Sequence, residues 1–248
     1  MNVPDAVQTL SRDLAEIFGA RLQSLTAYGL HAPGRAPHIS TTAHGHHDDP
    51  AEDTHTLAIV DVVTKDDLQA CAQKVSAWHS AGLATPLLLA EREFERSLDA
   101  FPLEFGAILS DHVVITGRSP FQSLTVNDAD VRRGCEVQAR SHLLHLREGM
   151  LETRGRADAL SVLIVESAPA FAALLQSLAR LEGLDGHDAA AAGRHAERRL
   201  DFTSGTITRV VALAGVKDIS SEEATAIFPA YLEAVERLVA HVDGWGAR

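Results

Sequence analysis

Between Gly29 and Leu57 the chain reads GLHAPGRAPHISTTAHGHHDDPAEDTHTL. It gathers His31, His38, His44, His46, His47 and His55 with Asp48, Asp49, Glu52 and Asp53. Neutral imidazoles and carboxylates are the ligand types that Zn2+, Ni2+ or Cu2+ select. The densest group is His44, His46, His47, Asp48 and Asp49. A polar run of this composition also suits a solvated insertion, and histidine-rich tracts bind metals adventitiously. A loop of this length without structure of its own tends to be functional or disordered. A third reading depends on the strands that flank it.

Those strands are predicted over Leu22–Leu30 and Leu57–Val63, leaving a His-rich loop at 31–55. An amphipathic helix precedes them, with Val7, Leu10, Leu14, Ile17 and Phe18 on one stripe. After Thr64, a plausible N-cap, KDDLQACAQKVSAWHSAG reads as one helix closed by Gly82. PLLLA (86–90) and HVVIT (112–116) are further strands, with a short helix near Arg92–Ser97 between them. The first half is therefore expected to hold a sheet of about four strands with helices on one face. Beyond about residue 124 the strands stop. Long apolar stripes predict helices over 129–153, 158–182, 205–213 and from Ser221 onward, packed as an antiparallel bundle. The expected domains are 1–124, α/β, and 125–248, all-helical.

The chain has 248 residues, 46% hydrophobic and 23% charged, which is globular composition. Its formal charge of −12 disfavours nucleic acid as a partner. Arg194, Arg198 and Arg199 are interrupted by Glu197 and read as a solvated helix face. Cys71 and Cys135, the only cysteines, are expected to be buried thiols. The N-terminus lacks a basic-then-apolar leader and no uninterrupted apolar window reaches membrane-spanning length, so a cytoplasmic protein without a membrane partner is expected.

The order of these elements, together with FPLEFGAILSDHVVITGRSPF (101–121) before a long Arg-rich helix, resembles the minimal nucleotidyltransferases. That family includes kanamycin nucleotidyltransferase and small nucleotidyltransferase–antitoxin proteins, and the middle segment is similar to a group of uncharacterised bacterial nucleotidyltransferase-like proteins. The resemblance implies an α/β (α+β) fold, a small mixed sheet with helices, followed by an all-α helical bundle. For an active member it also implies Mg2+ and a nucleotide as cofactors, and a bundle that binds the acceptor or forms a homodimer interface. The family's Gly-Ser pair lets backbone N–H groups approach the phosphates. Its Asp-x-Asp pair points to one side of a strand and holds two Mg2+ ions.

This sequence departs from both. The Gly-Ser position reads Gly29-Leu30, and the Asp-x-Asp position, aligned by the following strand, reads Thr54-x-Thr56. Asp53 lies one residue early, which turns a strand side chain to the opposite face. Glu104 is the one neighbouring candidate for a third acid. Gly29 and Arg35 are the positions left for phosphate contact. The resemblance therefore implies a degenerate transferase that retains at most nucleotide, small-molecule or protein binding. The alternative is an active enzyme using carboxylates of the 44–56 segment, Asp48, Asp49 or Asp53. A metal-dependent hydrolase is more distant, because His44-x-His46-His47-Asp48-Asp49 lacks the preceding strand that such a signature needs.

Three other patterns carry less. His142, His145 and Glu148 are helically spaced, but His142 also falls on an apolar stripe with Val131, Cys135, Ala139, Leu146 and Met150, favouring a core histidine. Arg140-x4-His145 matches a ribonuclease spacing that chance supplies readily in a chain with 13 histidines. GLDG (183–186) ends a helix and follows no strand.

Overall fold

The computed structural model describes residues 4–30, 54–122, 124–202 and 204–245. The chain divides into two units, Met1–Asn127 and Asp128–Arg248. The His-rich segment 31–53 lies outside the described residues, and with it the candidates Arg35, His44, His46, His47, Asp48, Asp49 and Asp53.

In the first unit, helix α1 (Asp5–Phe18) is followed by a 3-10 turn and strand β1 (Leu22–Tyr28). Strand β2 is His55–Val60, so His55 is a buried strand residue and not part of the expected loop. The expected helix over 65–82 is two helices, α2 (Lys65–Ala72) and α3 (Val75–Ser80). Thr64 is the N-cap, with a capping box closed by Asp67. Gly82 takes φ +75°, which suits a residue without Cβ. Strand β3 (Leu87–Ala90), α4 (Glu91–Ser97), α5 (Pro102–Ser110) and strand β4 (His112–Gly117) complete the unit.

The four-stranded sheet runs β3-β2-β1-β4. β1 is antiparallel to both β2 and β4, whereas β2 and β3 are parallel. Helices cover both faces, not one. Leu25, Ala58 and Val60 join α1, Cys71 and Trp78 on the first face. Tyr28, Leu57 and Ile59 join Phe94 of α4, Leu98 just after it, and Phe105 and Ile108 of α5 on the second. Every residue of β2 is buried, which is why it reads as a continuous apolar run without alternation. Trp78 Nε1 and Lys74 Nζ both donate to Asp13, at 2.9 Å each, tying α3 to α1. Arg21 grips Asp67 with two hydrogen bonds of 2.7 and 2.8 Å, and this guanidinium holds the Asp67 carboxyl far below its usual range.

The second unit holds α6 (Asp128–Thr153), α7 (Ala157–Leu181), α8 (Ala189–Arg199), α9 (Thr206–Ala212) and α10 (Ser221–Asp243). α8, which apolar periodicity alone does not announce, is capped by Asp188. α6 runs antiparallel to α10, because Arg140 meets Asp243 while the later Arg147 meets the earlier Glu236. α7 and α10 run the same way: Ser167 reaches Tyr231, and Glu182 lies beside His241. The expected all-antiparallel bundle is therefore corrected. The segment carrying α8 and α9 is long enough to return the chain to the starting end. α7 is long and apolar enough by length and composition to cross a bilayer. Here it is the central helix, with Leu160, Ile164, Phe171, Leu174 and Leu175 buried among its neighbours. Cys71 and Cys135 are free and buried.

Candidate functional site

The site that the sequence singles out lies where β1 ends and β2 begins. Tyr28, the last residue of β1, is in register with His55 on one side and His112 on the other. Gly29 turns away with φ +70° and donates its N–H to the Asp111 carbonyl at 3.1 Å. Leu30 follows, and the chain passes out of the described residues.

Across from it, Thr54 is fixed by backbone: its N–H donates to Gly82 O at 2.9 Å, and its carbonyl accepts from Ala84 N at 3.1 Å. Thr56 is in register with Ala27 and is 1% exposed. Because strand side chains alternate, Thr56 faces the side that carries Leu25, Ala27, Ala58 and Val60. β3 adds Leu88 to that face and β4 adds Ile115. Among the described residues, the strand positions of this face hold no carboxylate. The Thr56 hydroxyl makes no hydrogen bond there either. Neutral hydroxyls on an apolar face are a poor fit to a pair of Mg2+ ions, which need anionic oxygen ligands.

Glu104 sits half-buried on α5, whose Phe105 and Ile108 pack on the opposite face, with Tyr28 and Leu57. Burial pushes its carboxyl pKa upward. The structure thus places Glu104 and Thr56 on opposite sides of one sheet.

The second face carries a row that the sequence did not single out. The Tyr28 and His55 rings stand 5.7 Å apart, and His112 packs on Phe121 at 4.6 Å. His112 Nδ1–H donates to the Leu109 carbonyl at 3.0 Å, which fixes that ring's tautomer. Burial pushes the Tyr28 phenol well above its ordinary pKa, so it stays neutral. Only strand register reveals this row, since the three residues are far apart in sequence.

His142, the helical candidate, is 5% exposed in the second unit. Its Nε2 pairs with the Tyr231 hydroxyl at 2.6 Å, and its ring stacks on Phe171 at 5.3 Å. Burial, with a smaller contribution from His145, lowers its pKa to about 4. His145 and Glu148 are exposed, whereas His142 is buried. Among the described residues no group of three His, Cys, Asp or Glu is arranged to hold a metal ion. Arg140 is taken by Glu136 and Asp243.

No protein-family model matches the chain, and no curated protein does. Among solved structures, it is similar to the spectinomycin adenyltransferase AAD(9) from Enterococcus faecialis, crystallised with ATP and spectinomycin. The TM-score is 0.55 at 10% identity, covering 96% of this chain and 99% of that one. The chain thus has a nucleotidyltransferase-like fold, a small mixed sheet with helices followed by a helical region.

Proposed function

We propose that this is a nucleotidyltransferase-like protein in which two-metal catalysis has been lost and binding retained. The observation that carries the reading is the pair Thr54 and Thr56, at the strand positions where the resemblance calls for two aspartates. Thr56 is buried beside Ala27 and Ala58, with no carboxylate at the described strand positions of its face. Charge is what two divalent ions require from such a site, and threonine supplies none. The binding half of the proposal is supported by the likeness to an adenyltransferase crystallised with ATP and spectinomycin. A nucleotide, a small molecule or a protein surface is the occupant class it suggests.

The test is direct. The full-length protein is incubated with Mg2+, labelled nucleoside triphosphates and spectinomycin, and pyrophosphate is measured. The expected result is none above a protein-free control. Sustained pyrophosphate release that disappears in Asp53→Ala or Asp48→Ala would overturn the proposal and assign catalysis to the 44–56 carboxylates. Equilibrium dialysis with ATP, with and without Mg2+, then separates nucleotide binding from purely protein contacts.

A further inference from the structure

Helix α6 turns one face into its bundle and carries a second apolar stripe on the opposite side. Cys135, Ala139, His142, Leu146 and Thr153 are buried. Diametrically across from them, Val137, Leu144 and Leu151 are 63%, 61% and 78% exposed. They recur every seven residues, so at about 100° per residue each is turned only about 20° from the last. The result is a ridge about 21 Å long at about 1.5 Å of rise per residue. Single exposed leucines need no explanation, whereas a row along one helix face marks a contact surface.

The flanks of the ridge differ in charge, and the difference selects an occupant. On the helical wheel, Ser141, Glu148 and Glu152 lie on one side of Leu144. Arg140 and Arg147 lie on the other, with Glu136 behind them. At the start of α6, Asp130 and Arg133 neutralise each other across the ridge. Arg140 is taken by Glu136 and Asp243. Arg147 spends one N–H on Glu236, at 2.7 Å, and keeps the other four donors. Glu148 is exposed and forms no ion pair among the described residues. A second copy with its α6 parallel to the first, about a shared two-fold axis, sets unlike flanks together. Glu148 then meets the partner's Arg147, one residue away in height, and symmetry makes the pair twice. Laid antiparallel, like flanks meet: Arg140 faces the partner's Arg147, and Glu148 faces only the partner's Ser141.

We infer that this face of α6 is a self-association surface, on which two copies pair in parallel with Val137, Leu144 and Leu151 each against its own counterpart. The drift of the ridge suits a shallow left-handed crossing. Three side chains with their flanks fall short of the about 800 Å2 per partner of a standard interface. The dimer is therefore reversible, with a Kd on the order of 10 μM or weaker. It does not depend on whether nucleotidyl transfer survives.

The full-length protein is followed by sedimentation equilibrium from about 1 μM to about 500 μM, a span that brackets such a Kd. The expected result is a reversible monomer–dimer equilibrium. Leu144→Glu should leave monomer at every concentration, with its fold checked by circular dichroism, since the position is already exposed. Glu148→Arg sets like charges together twice and should weaken the dimer severalfold. Cysteine pairs then read the register under mild oxidation, because Cys71 and Cys135 are buried. Val137→Cys and Leu151→Cys should each form a disulfide with its own copy faster than Thr225→Cys, an exposed collision control on α10. Monomer throughout would leave the ridge to another occupant and overturn the inference. So would a dimer that survives Leu144→Glu, or a mixture of the two cysteine variants that links 137 to 151 in preference to either self-link.

Discussion

Acid should loosen the helical unit through one residue, His142. In the folded chain its imidazole lies between Phe171 and Tyr231 and its pKa falls to about 4, against 6.5 for an exposed histidine. Burial is the main cause, since a charged ring there would lose its hydration among aromatic neighbours. The sign follows from proton counting. Between pH 6.5 and about 4 the unfolded chain binds a proton at this residue and the folded chain does not. Stability contributed by neutral His142 is present above pH 6.5 and is lost as pH falls through that window. The full span is about 3 kcal/mol at 1.36 kcal/mol per pKa unit, of which about 2 kcal/mol is lost between pH 7 and pH 5. Urea unfolding followed by circular dichroism and Trp245 emission measures this directly. Other titrating groups contribute too, so the comparison is with His142→Asn, which keeps them all. The wild-type loss from pH 7 to pH 5 should exceed the variant's by about 2 kcal/mol. Equal losses in the two proteins would refute the reasoning, as would an NMR titration showing His142 protonated with a midpoint near 6.5.

Two predictions concern the first unit. Thr64→Ala removes the hydroxyl that accepts from Asp67 N at 3.2 Å and should lower stability by about 1 kcal/mol in urea, most of it local to α2. Gly117→Ala places a Cβ 2.0 Å from the Gln23 carbonyl oxygen at φ +78°, so the β1–β4 pairing must shift. Its cost should exceed about 1 kcal/mol, with faster amide exchange along β4 as the local signature; wild-type exchange there would count against the described register.

The elements with strong local signals were legible in the chain. β2 announced itself as a β-branched apolar run, α10 by its long stripe, and α2 by the Thr64 cap, because each depends on neighbours in sequence. α8 was not, since its buried face is Ala189, Ala192, Gly193 and Ala196, too small to stand out as hydrophobic periodicity. The break between α2 and α3 was missed because it falls at Gln73–Lys74, where neither residue is a helix breaker. That Gly29 follows β1 and Thr56 lies at the start of β2 was readable. The placement of Glu104 on the opposite sheet face from Thr56 was not, because it depends on how α5 docks.

By itself, then, the sequence determined the order of the strands, the change from strands to helices, and the presence of threonine at positions 54 and 56. Those rest on residue types and on periods of 2 and 3.6, which the chain carries locally. The tertiary structure alone decided that both sheet faces are covered and that α7 and α10 run parallel. It also decided that Glu182, His195, Arg199 and His241 share one cleft. That last constellation draws on three helices whose packing is set by complementary apolar surfaces, and no spacing along the chain encodes it.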